Sequence, residues 1–324
     1  MFKFRVFFLF SFFVFIGVSL YGQIEGKLFD FQSDGNPIVT HKFTPDPAAL
    51  VMGDTLWLFT GHDEGKRNHG MVLKDWSVFS TTDLKNWTEY PTPLKVSDFT
   101  WDKTGRAYAA QAINRNGKFY WYISTDGSGI GVAVSDNPQG PYVDAIGKPL
   151  LTNDDCFASS HNWTCIDPTV MIDDGGQAWL FWGNGVCYYV PLKENMIELD
   201  GEVKKIDFEG LNFTEAPWIH KYNGKYYLSY AEGFPERIAY AMADNIEGPY
   251  IYKGVLNEIA GNSDTNHHSI VEFKGQWYFI YHNGGHQPDG SSTTRSSCID
   301  YLYYNEDGTI QPIRMTSKGV SPIK

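Results

Sequence analysis

One motif occurs five times in this chain of 324 residues, and that repetition restricts the fold more than any other feature. The segments GDTLWLFTG (53–61), GKFYWYIST (117–125), GQAWLFWGN (176–184), GKYYLSYAE (224–232) and GQWYFIYHN (275–283) each open on a glycine and a polar residue. Each then runs through aromatic and aliphatic residues. A second apolar run precedes each of them: AALVM, AAQAINR, PTVMID, APWIHKY and HSIVEFK. Apolar run, glycine-containing turn and apolar-aromatic run together describe a β-hairpin. The turn glycines stand at 53, 117, 176, 224 and 275, spaced by 64, 59, 48 and 51 residues. Further strand signals follow the hairpins, including two closely similar segments, IGVAVSDNPQGPY (130–142) and IAYAMADNIEGPY (238–250), and also SVFSTTDLKNWTEY (77–90) and CIDYLYYNEDGTI (298–310). No long segment carries the 3.6-residue period of an amphipathic helix. About four short strands per unit of about 45 to 65 residues, repeated five times, predict an all-β, five-bladed β-propeller. A β-sandwich is also rich in hairpins, but nothing in that architecture requires one motif five times. No Pro/Gly/Ser-rich linker divides the chain, so a single domain is expected.

The first 22 residues stand apart from this pattern. MFKFRVFFLFSFFVFIGVSLYG places Lys3 and Arg5 before an apolar run from Val6 to Leu20, with the small residue Gly22 at a plausible cleavage point. That is the layout of a secretory signal, and a 15-residue apolar run is short of the roughly 20 residues that cross a bilayer. Residues 1–22 are therefore assigned as a signal peptide and 23–324 as the propeller. The expected location is exported, periplasmic or extracellular, with no membrane insertion after cleavage. In such a compartment the four cysteines, Cys156, Cys165, Cys187 and Cys298, either form disulfides or stay as small buried hydrophobes. Cys156 and Cys165 bracket one loop and are the best candidates for a bridge. A net charge of −12 argues against nucleic acid and against an anionic membrane surface as partner.

The repeat also brings carboxylates into phase. In a propeller the first strand of each blade lines the central axis, so residues at the start of those strands converge from different blades. These positions hold Asp46 in FTPDPAAL, Asp167 in CIDPTVMI, Glu215 in FTEAPWIH and His267 in TNHHSIVE, while the second blade offers Arg106, Tyr108 and Gln111. Asp46 precedes its turn glycine by 7 residues, Asp167 and Glu215 precede theirs by 9, and His267 by 8. A single Asp-Pro pair is ordinary turn chemistry. Three acids at one phase of a repeat point instead into a shared axial pocket. Like charges crowded there raise at least one pKa, leaving one carboxyl protonated and another ionised near neutral pH, as hydrolysis by a general acid and a general base requires. Trp101, Trp163, Trp182 and Trp218 offer flat faces for sugar C–H groups, and Trp101 and Trp163 come first because they lie outside the repeated strands.

On these residues the chain resembles glycoside hydrolase family 43. TPDPAALVMGDTLWLFTGHDEG, CIDPTVMIDDGGQAWLFWG, TEAPWIHKYNGKYYLSYAE and TTRSSCIDYLYYNEDGTI carry the resemblance, which covers essentially everything after the first 22 residues. It implies a five-bladed propeller acting on arabinose- and xylose-containing oligo- or polysaccharides with inversion, the acid and base standing roughly 6.5–9.5 Å apart. It further implies Asp46 as general base, Glu215 as general acid and Asp167 as the residue that raises the pKa of Glu215 and holds it in place. Arg295 matches the family's arginine at the terminal sugar. His267 matches the axial histidine found near a calcium ion, with His268, on the other side of the strand, as the fallback. No organic cofactor is implied, and calcium would be structural or electrostatic. The loop HDEGKRNH (62–69) is expected to be solvated or to line the substrate, His62 first, rather than to hold a metal. Without a C-terminal β-sandwich the reading leans to α-L-arabinofuranosidase, with β-xylosidase, endo-arabinanase and galactan-active enzymes as alternatives. Fructan-cleaving propellers have Asn-Asp-Pro-Asn at the nucleophile, where this chain has Thr44-Pro45-Asp46-Pro47. A non-catalytic carbohydrate-binding propeller has no use for three crowded acids.

Overall fold

The five hairpins form as the repeat predicts. The computed structural model describes residues 27–159, 161–209 and 212–324, so the expected signal peptide 1–22 lies outside the described residues. The hairpins pair strands Ala48–Met52 with Thr55–Gly61, Ala107–Arg115 with Lys118–Thr125, Thr169–Ile172 with Ala178–Trp182, Phe213–Tyr222 with Lys225–Glu232, and His268–Phe273 with Gln276–Asn283. A third strand extends each hairpin to make a blade, and all five blades are separate sheets. Among the described residues the only helical turns are the 3-10 segments Val96–Asp98 and Asn153–Asp155.

The turn glycines are there for their backbone. Gly53, Gly117, Gly176, Gly224 and Gly275 all have positive φ, between 62° and 84°. In three hairpins the two-residue turn is Asn116-Gly117, Asn223-Gly224 or Lys274-Gly275, both residues left-handed, the geometry whose twist matches the flanking strands. At Gly224 an added Cβ meets nothing within 4 Å, so the cost of Gly224→Ala is conformational alone. It should lower stability by about 1–2 kcal/mol in urea titrations while leaving kcat unchanged, since the turn sits at the end of the strand away from the acids.

Packing closes the blades into a ring. The buried apolar residues fall into five clusters, each bridging two neighbouring blades. Trp76 and Phe59 of the first meet Trp121 and Ile123 of the second, and Tyr122 and Val132 meet Leu180 and Trp182 of the third. Phe181 and Tyr189 meet Leu228 and Tyr230 of the fourth, and Tyr227 and Tyr240 meet Phe279 and Tyr281 of the fifth. The last cluster joins Ile280 and Tyr278 back to Leu56, Leu58 and Phe79 of the first blade, with Ile38 and Val39 buried between them. Sheets joined this way lose their exposed faces to one another.

The fifth blade has only three strands of its own, and the segment before the first blade completes it. Ile38 N–H donates to Ser297 O at 2.8 Å, and the Asn36 side chain imitates a strand, accepting from Ile299 N–H at 2.8 Å and donating to Ile299 O at 3.1 Å. The ring is thus closed by hydrogen bonds between its two ends.

The bridge considered for Cys156 and Cys165 is not formed. All four cysteines are buried free thiols, and Cys156 Sγ instead accepts from Trp182 Nε1 at 3.2 Å.

Candidate active site

Three positions at the top of the ring share an unusual backbone. Asp46, Asp167 and Ala216 all have φ near 55°, and each is followed by proline. Left-handed φ is uncommon outside glycine and costs of order 1 kcal/mol or more per residue. Here it turns each N–H sideways into the preceding blade. Asp46 N lies 3.3 Å from His282 Nδ1, Asp167 N–H points to Ser124 Oγ at 3.3 Å, and Ala216 N–H to Asp167 Oδ2 at 3.0 Å. Asp46 and Asp167 are therefore equivalent positions, and Glu215 stands one residue ahead of its own equivalent. Two register shifts around Glu215 in the strand Phe213–Tyr222 accommodate the offset, and its longer side chain restores the reach.

The three acids line one cavity of about 330 Å3 together with Arg106, Tyr108, Trp163, His267, His282 and Arg295, among other residues. Their environments differ sharply. Burial alone would raise Asp46, but the Arg295 guanidinium, 2.9 Å from Oδ1, and His282 Nδ1, 3.0 Å from the same oxygen, hold its carboxyl well below the usual range. Asp167 is pushed well above that range by burial, then by Glu215 and Asp46. Glu215 is likewise raised, by burial and then by Asp46, against the hydrogen bond that Asn184 Nδ2 donates to its Oε2. One carboxylate thus stays ionised while the facing pair retains a proton above the ordinary carboxylate range.

Arg295 is held from behind. Asp63, with no side-chain exposure, accepts from Arg295 Nε and Nη2 at 3.0 Å each and from its backbone N–H at 2.8 Å. This bidentate clamp aims the remaining nitrogen, Nη1, at Asp46.

His267 faces the cavity, its Nδ1 4.0 Å from Asp46 Oδ1 and 3.9 Å from Asp167 Oδ2. Burial lowers its pKa to about 4, so the ring is neutral at neutral pH. His268 turns into the core instead. Its Nε2 lies 2.5 Å from Ser229 Oγ, and its ring stacks on Phe279. These residues do not fit a calcium ion held by the protein. Calcium takes six to eight oxygens, whereas one imidazole faces two carboxylates, each with one oxygen already engaged, Asp46 Oδ1 by Arg295 and His282 and Asp167 Oδ2 by Ala216.

The proposed sugar contacts divide. Trp163 lines the cavity, half exposed and stacked on His161 with centroids 4.8 Å apart. Trp101 is elsewhere, packed on Phe99 with its Nε1 bonded to Asp144 at 3.0 Å, because its loop folds along the outside of the second blade. His62 also turns away, Nδ1 to Asp75 at 2.9 Å. It gathers there with Glu64 and Asp75, and it is the next residue, Asp63, that points inward. Trp182 and Trp218 are buried packing residues. Sequence reasoning missed Asp63, Asn184, His282 and a fourth carboxyl, Glu236. The signal for His282 was its place at the end of a repeated second strand, where Ser124 stands in the second blade.

The sequence profile described as Glycosyl hydrolases family 43 matches residues 35–310. An arabinoxylan arabinofuranohydrolase of Paenibacillus polymyxa is 31% identical over 90% of this chain, and the chain spans 53% of that protein's length. A β-D-galactofuranosidase of Aspergillus niger is 32% identical, over 88% of this chain and 86% of its own. Among solved structures, an α-L-arabinofuranosidase of Clostridium thermocellum superposes with a TM-score of 0.73 at 36% identity, covering 87% of this chain and 97% of its own. A β-xylosidase/α-arabinofuranosidase from a compost metagenome, in complex with xylotriose and in a calcium-free form, gives 0.76 at 29%, over 88% and 98%. With a propeller of five blades, an acid cluster on its axis and this match over most of its length, the chain belongs to glycoside hydrolase family 43.

Proposed function

We propose that the protein is an exported, exo-acting glycoside hydrolase that releases terminal α-L-arabinofuranosyl residues from arabinose- or xylose-containing saccharides with inversion. The observation that carries this reading is the split electrostatics of one cavity: Asp46 held ionised by Arg295, and Glu215 held with Asp167 as a proton-retaining pair. In the proposed reaction Asp46 takes a proton from a water molecule whose oxygen bonds to the anomeric carbon. Glu215 gives its proton to the glycosidic oxygen as the bond from that carbon to the leaving group breaks. Asp167 holds the backbone beside Glu215 through Ala216 N–H and shares its proton. Arg295, fixed by Asp63, orients the sugar beside Asp46, and Trp163 offers a flat face at the rim.

The size of the cavity supports exo action. At about 330 Å3 it lies at the small end of the roughly 300–1,000 Å3 typical of ligand pockets, suited to a terminal sugar rather than to a threaded chain. Removal of β-xylosyl residues is the second reading, since solved relatives of this fold hold xylose and xylotriose.

Initial rates on the 4-nitrophenyl glycosides of α-L-arabinofuranose, β-D-xylopyranose and β-D-galactofuranose test the substrate, and NMR of the first-formed sugar tests the stereochemistry. The arabinoside should be cleaved with the highest kcat/KM, and the first anomer should be inverted. Preference for the xyloside moves the assignment to the second reading, and a retained anomer overturns the mechanism. Sugar binding with no turnover on any of them, or on arabinan and arabinoxylan, would mean a carbohydrate-binding propeller. Export predicts that mass spectrometry of the protein from its native host finds an N-terminus near Gln23.

A further inference from the structure

Behind Glu215 lies a carboxyl that the proposed reaction does not use. Glu236 follows Pro235 in the connection between the second and third strands of the fourth blade, and it is 2% exposed. Its backbone N–H donates to Asp264 O at 2.8 Å, and its Oε2 accepts the backbone N–H of Asn266 at 2.8 Å. These two bonds tie it to the segment that enters the fifth blade beside His267. Its side chain lies within hydrogen-bonding reach of that of Glu215. No cation answers it among the described residues, since the nearby Arg237 pairs with Glu232 at 2.8 Å.

Two buried carboxyls in hydrogen-bond contact require a proton between them, because two carboxylates have only acceptors to offer each other. Oε2 of Glu236 is already occupied as an acceptor by Asn266, leaving Oε1 to carry the proton. Glu236 is less exposed than Glu215, and the Arg295 charge that favours ionisation acts on Glu215. Burial first, and the neighbouring Glu215 and Asp167 next, push its pKa up to about 10. The charged groups around the pair are Asp46, Asp167 and Arg295, and of these only Arg295 favours an ionised Glu215.

We propose that Glu236 is a positioning residue, a carboxyl that keeps its proton through the catalytic cycle and donates a hydrogen bond to Glu215. The inference rests on the reading of Glu215 as the general acid. Its consequence for the reaction lies in the moment after proton transfer. Glu215 is then a carboxylate in a cavity that already holds ionised Asp46, and burial opposes the new charge. Hydrogen bonds from Asn184 and Glu236 stabilise that charge as it develops, so Glu215 acts as a stronger acid than burial alone allows. In the protonated state the same two donors occupy the inner side of the carboxyl, which leaves the acidic proton directed at the substrate.

The sign of the pH response tests this. With Glu236→Gln, the amide still donates to Glu215 and accepts from Asn266, so the alkaline limb of kcat/KM should stay near its wild-type position. With Glu236→Leu, the donor is lost, and that limb should move up by about one pH unit. At its optimum this variant should lose more rate on slow-leaving oligosaccharides than on aryl glycosides. Were Glu236 instead an ionised acceptor, Glu236→Gln would remove a negative charge and move the limb down. That result, or an unmoved limb in Glu236→Leu, overturns the proposal. If the leucine variant does not fold, the infrared difference spectrum of wild type minus Glu236→Gln at pH about 8 decides. A protonated-carboxyl band must be present in the wild type alone, and its absence overturns the proposal. Glu215→Gln run beside these separates the two readings: if it keeps full activity on oligosaccharides, the general-acid assignment has failed whatever Glu236 does.

Discussion

Glu215→Gln is expected to lower kcat on arabinofuranosyl oligosaccharides by about 10²–10⁴-fold, the usual contribution of a positioned general acid. The loss should shrink as the leaving group becomes more acidic, because a good leaving group departs with little help from a proton. Asp46→Asn should cost as much on every substrate, since in the proposed reaction Asp46 acts on water and not on the departing oxygen. The contrast is the informative part. Equal sensitivity to the leaving group in both variants would contradict the assigned roles, and full activity in either would remove that residue from the mechanism. The pH profile follows from the same electrostatics. For the proposed reaction Asp46 must be ionised, and it is held below the usual carboxylate range, so the acid limb is expected at low pH. Glu215 must be protonated and, with Asp167, is held above that range, so the alkaline limb lies higher than an ordinary carboxyl would place it. Asp46→Asn also removes a negative charge that raises Glu215, which should move the alkaline limb down.

Asp63→Ala should have the largest effect on stability of any single change near the cavity, about 3 kcal/mol. Asp63 receives two side-chain bonds and one backbone bond from Arg295, and both side chains are almost entirely buried. Removing one partner of such a pair leaves a buried charge half-compensated, with only Asp46 to answer it. Urea denaturation gives the measurement, and a change below about 1 kcal/mol would mean that the pair behaves as a surface ion pair. Activity should fall as well, because an unclamped guanidinium no longer fixes Asp46. Asp63→Asn should be milder, since its carbonyl oxygen still accepts while its NH2 group meets a guanidinium donor.

The fold was legible because its unit is short and repeated. Gly117, Gly224 and Gly275 marked turns that only a left-handed pair satisfies, and the spacing between them counted the blades. The acids were legible for the same reason, as Asp46 and Asp167 stand directly before a proline and Glu215 one residue farther from its own, at the phase where first strands begin. What stayed hidden depends on which way a loop turns. His62 and Asp63 are adjacent, yet one faces Asp75 and the other Arg295, and no period in the sequence distinguishes them. Trp101 and Trp163 both lie in loops between strands, yet only Trp163 reaches the cavity. Glu236 carried no signal at all, since in the sequence it is one more charged residue after a proline. Only the depth of the connection between the second and third strands of the fourth blade reveals it as buried.

The hydrogen bonds from Asn36 and Ile38 to the strand Ser296–Leu302 join the first part of the chain to nearly its last. A chain emerging from the ribosome therefore carries Asp46, Asp167 and Glu215 long before it carries a working site, because Arg295 and His282 arrive with the final blade. Until then Asp46 has no cation beside it, and the first blade has no neighbour on one flank. Hydrolytic competence is in this sense a property of the finished chain. Losing the last blade would erase it outright, where the loss of an outer strand from another blade would only weaken the ring.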